Sequence, residues 1–157
     1  NLFAYHLPLD AHPVLGNNAQ LGHKLALTET GPFGEQEIAV RGALTHAMTL
    51  HAFEEKISLA LARKPTIIGD PEKSIQQVAW CTGAAQDYFE AAIQLGVDAF
   101  ITGEISEQNV HIARESGVAF ISAGHHATER YGVQALGEYL AQTFDIKHRF
   151  IDIENPV

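Results

Sequence analysis

The sequence predicts an α/β fold: a layered sheet flanked by helices, with at least one portion built from parallel βαβ units. Short apolar runs at 97–102 and 118–121 alternate with helical stretches, one from Gly83 to Leu95 and one capped by Ser106 and running to Glu115. Each stretch is closed by a glycine, Gly96 or Gly117, the residue that adopts the left-handed end of a helix at least steric cost. No linker, repeat or low-complexity segment divides the 157 residues, and 46% hydrophobic with 18% charged residues is the balance of one globular core. The expected organisation is a single α/β domain over residues 1–157.

Residues 1–9 read as a first strand that sets Asp10 at its end. The turn Leu9-Asp10-Ala11-His12-Pro13 then leads into a helix through Leu21 and Leu25, for which Asn17 or Asn18 is the expected cap. Residues 36–41 alternate as a strand does. Residues 45–61 place Met48, Phe53, Ile57 and Leu61 near helical spacing, a stripe that belongs to the core. Two strands, 66–68 and 77–81, flank a turn at Gly69-Asp70-Pro71. After the βαβ portion, a helix bearing His125 and Glu129 follows Gly124, and residues 149–153 read as a closing strand.

Composition removes several function classes. The formal charge of −9, from 19 acidic and 10 basic residues without a basic cluster, disfavours non-specific binding to nucleic acid. No apolar run reaches the roughly 20 residues that span a bilayer. A single cysteine, Cys81, excludes an intrachain disulfide framework, and no signal peptide precedes the first strand, so a cytoplasmic location is expected. Because the chain opens on Asn1 directly into strand-like sequence, it is expected to be part of a longer protein.

In open α/β sheets ligands gather at the carboxyl ends of strands, which singles out Asp10, Cys81-Thr82-Gly83, Thr102-Gly103-Glu104 and Ala123-Gly124-His125-His126. His125 and Glu129 are four residues apart, so a helix sets them on one face at roughly 5–6 Å between Cβ atoms, where both can reach one cation. With Asp10 they form an O/N/O set suited to Mn, Fe, Zn or Mg, although a full shell needs further ligands. Glu104 is a general acid or base, a partner orienting a ligand histidine, or an acidic residue favoured by a helix dipole. Cys81 reads as buried core rather than as a nucleophile. The amides of Gly83, Ala84 and Ala85 are a weak candidate phosphate cradle, lacking both the Rossmann glycines and the Walker lysine.

Taken in order, Tyr5-His6-Leu7-Pro8-Leu9-Asp10-Ala11-His12-Pro13, Trp80-Cys81-Thr82-Gly83-Ala84-Ala85-Gln86, Asp98-Ala99-Phe100-Ile101-Thr102-Gly103-Glu104 and Ala123-Gly124-His125-His126-Ala127-Thr128-Glu129 resemble the GTP cyclohydrolase I type 2 homologue family, in its YbgI-type branch. The resemblance covers nearly the whole chain as the C-terminal portion of that fold. It implies a site of two divalent metal ions with Asp10, His125 and Glu129 as ligands, completed by a His-His pair in an upstream segment this chain lacks. It also implies a homohexamer and a purine nucleotide substrate. Metal-assisted hydrolysis is the expected chemistry, with Glu104 or His126 passing protons. The alternatives are a metal-binding oligomeric scaffold or regulatory protein without turnover, and metal-free nucleotide binding at Gly83.

Overall fold

The computed structural model describes residues 1–156. Its six strands are β1 (Leu27–Phe33), β2 (Ala39–Thr49), β3 (Thr66–Ile68), β4 (Ser74–Trp80), β5 (Ala99–Thr102) and β6 (Ala119–Ser122). They form one mixed sheet in the order β1-β2-β4-β5-β6-β3. The pairs β4/β5 and β5/β6 are parallel, while β1/β2, β2/β4 and β3/β6 are antiparallel. The helices are α1 (Leu7–Asp10), α2 (Asn17–Lys24), α3 (Leu50–Leu61), α4 (Phe89–Gln94), α5 (Glu107–Ser116), α6 (His125–Glu129) and α7 (Tyr131–Phe144).

The apolar runs in the parallel strands are continuous because both faces of the sheet are covered. Ile75, Val78, Trp80, Ala99, Ile101 and Ile121 pack on one face with Leu21 of α2 and Phe53, Ile57 and Leu61 of α3. The alternate residues Ala79, Cys81, Phe100 and Phe120 face the other way, onto Phe89 and Ala92 of α4 and Ala113 of α5. There Phe89 meets Phe120 edge-on at 4.9 Å between ring centroids, and Phe100 lies 5.9 Å from both. Offset and edge-on arrangements suit the ring quadrupoles. The predicted α/β sheet with a parallel βαβ portion is the observed fold.

Several expected elements differ. Residues 1–6 form no strand, Leu2, Phe3 and Tyr5 are exposed, and Asp10 closes the short helix α1 instead of a strand. Pro8 fits the first turn of that helix, where no backbone donor is needed. Strand β1 went unforeseen because Thr28, Glu29 and Thr30 are exposed and Gly31 with Pro32 reads as a turn. The strand expected at 36–41 begins only at Ala39, since Gln36 and Glu37 are held at φ 58° and 53° in a tight turn. It then runs through Thr49 into sequence expected to be helical. Helix α3 starts at Leu50, where the Thr49 hydroxyl accepts the Ala52 amide at 3.2 Å. The β-branched Thr45 and Thr49 suit a strand better than a helix, and β4 was available to pair with Met48 and Thr49.

Gly83 does not open a helix. A 3-10 turn at Gln86–Tyr88 intervenes before α4 begins at Phe89. Residues 149–153 form no strand, having no neighbouring strand to pair with. Gly96 and Gly117 do terminate their helices, each at φ 72°. No described helix is long and apolar enough to cross a membrane.

Candidate functional site

The parallel strands β4, β5 and β6 deliver three loops to one end of the sheet, and backbone bonds lace them together. The Gly83 carbonyl accepts the Gly103 amide at 2.8 Å, and the Gly103 carbonyl accepts the Gly124 amide at 2.9 Å. Thr102 Oγ1 donates to the Gly83 carbonyl at 3.0 Å and accepts the Ala85 amide at 3.2 Å. Thr128 Oγ1, bonded to the Gly124 carbonyl at 2.9 Å, accepts the Gly83 amide at 3.1 Å. The Gly83 and Ala85 amides are therefore spent on the Thr128 and Thr102 hydroxyls. The phosphate-cradle reading loses both of them and the helix N-terminus it required.

The glycines serve close approach instead. A Cβ on Gly83, which sits at φ +70°, would meet Glu129 Oε1 at 2.0 Å. One on Gly103 would meet the Cα of His125 at 2.7 Å. Only bare backbone lets α6 settle this deeply onto the strand ends.

Helix α6 places His125 and Glu129 on one face, as their spacing predicts. Glu129 Oε2 lies 3.0 Å from His125 Nε2, and Glu104 Oε1 lies 2.6 Å from His125 Nδ1. Burial lowers the affinity of His125 for its proton, but the Glu104 hydrogen bond and the charges of Glu129 and Glu104 outweigh it and raise the pKa above the usual imidazole value. Both ring nitrogens can then donate, one to each carboxylate. Burial also pushes the Glu129 pKa up, helped by the nearby charge of Asp10 and opposed by His125.

Asp10 is buried, and its Oδ1 accepts from Asn17 Nδ2 at 2.7 Å. Asn17 Oδ1 in turn accepts the Gly132 amide at 2.7 Å, tying α1 and α2 to the start of α7. Neighbouring Asn18 accepts the Thr82 amide at 2.9 Å and donates to the Ile38 carbonyl at 2.8 Å, while its own carbonyl accepts from Trp80 Nε1 at 2.8 Å. Neither asparagine caps α2, whose N-cap is Gly16. Sequence reading missed their role, and the available signal was two adjacent amides entering a helix otherwise committed to the core.

A cavity of about 250 Å³ brings together His6, Asp10, Cys81, Thr82, His125 and Glu129. The Cys81 thiol in its wall is pushed up to about 12 by burial, against a lowering hydrogen bond from Asn18, so it stays protonated and is no nucleophile. A second cavity of about 470 Å³ opens on the other side of the imidazole, lined by Glu104, His125, His126, Glu129 and Asn155. His126 Nε2 lies 3.3 Å from Asp152 Oδ1. The five residues singled out from the sequence thus gather on and around α6: Asp10, His125 and Glu129 share the first cavity, and Glu104 and His126 line the second.

The donor chemistry fits a divalent cation. Burial and then the charge of Asp10 raise the cost of ionising Glu129 in one small cavity, a cost that a cation would relieve, and a cation on Nε2 would take the place of the proton shared with Glu129. Among the described residues, however, no three His, Cys, Asp or Glu side chains stand close enough to enclose an ion by themselves.

The model of the Duf34/NIF3 (NGG1p interacting factor 3) family matches residues 1–156. The chain belongs to the Duf34/NIF3 family. Within this family, it is 54% identical over 156 residues to the GTP cyclohydrolase 1 type 2 homolog of Neisseria meningitidis serogroup B, covering 99% of this chain and 63% of that protein. To the homolog of the same name from Pseudomonas aeruginosa it is 52% identical over 159 residues, with 99% and 63% covered. Among solved structures, the protein ybgI, described as of unknown function, superposes with a TM-score of 0.95 at 50% identity, over 100% of this chain and 63% of that one. TTHA1606 from Thermus thermophilus gives 0.82 at 27% identity, over 99% and 62%. This Duf34/NIF3 chain therefore spans about 63% of the length of the relatives it matches.

Proposed function

We propose that this chain supplies one wall of a site for two divalent cations, and that the complete protein is a metal-dependent hydrolase acting on purine nucleotides. The observation that carries the reading is a single cavity that holds Asp10, His125 and Glu129 while Glu104 grips the far nitrogen of the imidazole. Asp10, His125 and Glu129 would hold the cations, and Zn, Fe, Mn and Mg all accept such O/N donors. The ligands still needed would come from outside the residues of this chain, which covers 63% of such a relative's length. When bound, such cations supply Lewis-acid polarisation and activate water near neutral pH.

The chain's own residues do the positioning. Glu104 fixes the ring orientation of His125, as carboxylates behind ligand histidines do. Asn17 holds the Asp10 carboxylate from outside the cavity. His126, on the rim of the outer cavity, exchanges protons between that cavity and Asp152. The purine nucleotide is named from what the homologs are called. Self-association into a hexamer belongs to the same proposal, with the exposed Leu59, Val133, Tyr139 and Phe144 offering apolar surface for it.

One observation favours a second reading, a metal-binding scaffold without turnover. Glu104 is committed to His125, which removes it as a free acid or base. Metal analysis of the full-length protein and its Glu129→Ala variant, with a screen of purine nucleotides and their ring-damaged forms, separates the readings. Loss of metal with loss of hydrolysis supports the enzyme, and loss of metal from a parent that turns over nothing supports the scaffold. Unchanged metal content in the variant would sink the ligand assignment.

A further inference from the structure

Three buried threonines stand around the loops at the end of the sheet, and the fold uses the hydroxyls of two. Thr102 Oγ1 donates to the Gly83 carbonyl and accepts the Ala85 amide, while Thr128 Oγ1 accepts the Gly83 amide and lies on the Gly124 and His125 carbonyls. Thr82 differs. It is 5% exposed and its amide donates to Asn18 Oδ1 at 2.9 Å, yet its buried hydroxyl has no hydrogen-bond partner.

Strand geometry sets the direction of this side chain. The ladder to β5 continues past Trp80, with the Cys81 amide donating to the Ile101 carbonyl and the Gly103 amide to the Gly83 carbonyl. Side chains therefore go on alternating: Ala79 and Cys81 lie in the core under α4 and α5, and Thr82 follows Trp80 onto the face that carries α2. On that face the bond between Asn17 and Asp10 ties α1 to α2, so Thr82 is turned to the Asp10 side of the inner cavity. Thr82 is in the wall of that cavity with Asp10, His125 and Glu129, and among the described residues it is the one whose orphaned buried polar atom belongs there.

A buried hydroxyl without a partner costs free energy that a valine of the same shape would avoid, so folding gives no reason for it. The hydroxyl can donate one hydrogen bond. With cations neutralising Asp10 and Glu129, its complement is an acceptor oxygen that carries negative charge, because a cation and an aimed donor together suit an oxyanion. We propose that Thr82 is a ligand-contacting residue of the inner cavity, donating its hydroxyl to an oxyanion that the cations hold there. This rests on the cation site proposed above, in which Thr82 itself is not a ligand of the metal.

The test uses the full-length protein, with Mn2+ as the cation and inorganic phosphate as the oxyanion. In the chelated protein, Thr82→Val is expected to melt at or above the parental temperature, since it removes an unsatisfied group. In the Mn2+-loaded protein it is expected to keep the parental Mn2+ content and to bind phosphate about 10- to 100-fold more weakly, the scale of one hydrogen bond to a charged group. Thr82→Ser, which retains the hydroxyl, is expected to bind phosphate as the parent does. Parental phosphate affinity in Thr82→Val overturns the proposal, as does equal weakening in Thr82→Ser. A lowered melting temperature in the chelated Thr82→Val protein, or loss of its Mn2+, also overturns it, by giving the hydroxyl to the fold or to the metal. A parent that loads Mn2+ but binds no phosphate overturns this contact alone, whereas a parent that takes up no Mn2+ overturns the cation site and the contact with it.

Discussion

Glu104 Oε1 stands 2.6 Å from His125 Nδ1, which leaves only the opposite nitrogen of that ring facing the Asp10 cavity. A carboxylate in this position sets the ring orientation and the basicity of the nitrogen that would bind metal.

Replacing Glu104 by glutamine keeps the shape and removes the charge. Metal affinity of the full-length protein is expected to fall about 10- to 100-fold, the usual cost of losing a partner behind a ligand histidine. Titration with Mn2+ followed by calorimetry reads this, and an unaltered affinity would return Glu104 to the acid/base role.

The pH dependence of the chelated protein follows from two shifts of the same sign. Burial and Asp10 raise the Glu129 pKa, while for His125 the lowering effect of burial is outweighed by its hydrogen bond to Glu104 and the charges of Glu129 and Glu104, which raise its pKa. A raised pKa makes the protonated form favour folding. Each contribution is full below the unfolded-state pKa and is lost as pH rises through the folded one. In urea melts of the chelated protein, Glu129→Gln should gain stability relative to the parent as pH is raised from the carboxylate range toward neutrality. A constant difference across that range would contradict the shift. Metal uptake should run the opposite way and strengthen with rising pH, because the cation displaces the His125 proton.

Gly83→Ala should damage both fold and site. The residue sits at φ +70°, and the new methyl would meet Glu129 Oε1 at 2.0 Å. A loss of about 1–3 kcal/mol is expected for the strained backbone alone, with metal content falling as Glu129 is displaced. Denaturant melts and metal analysis on the same preparation give both numbers.

Asn17→Ala would strand two buried groups, the Asp10 carboxylate and the Gly132 amide, each now bonded at 2.7 Å. The expected cost is about 2–4 kcal/mol, since an unsatisfied buried group loses its full desolvation penalty. A change near zero in the melting midpoint would show that water replaces the amide.

The sequence by itself determined the βαβ portion, because apolar runs and helix-ending glycines such as Gly96 and Gly117 act through local geometry. It likewise determined that His125 and Glu129 share a helix face, a consequence of 3.6 residues per turn. Strand β1 and the far half of β2 were illegible, since their pairing with each other and with β4 overrides weak local preferences. Only the tertiary structure decided that Asp10 ends a helix, that Asn17 and Asn18 are buried struts rather than caps, and that Gly83 and Gly103 make room for α6. Those outcomes depend on contacts such as Asn17 with Gly132, across 115 positions of chain, which no local pattern encodes.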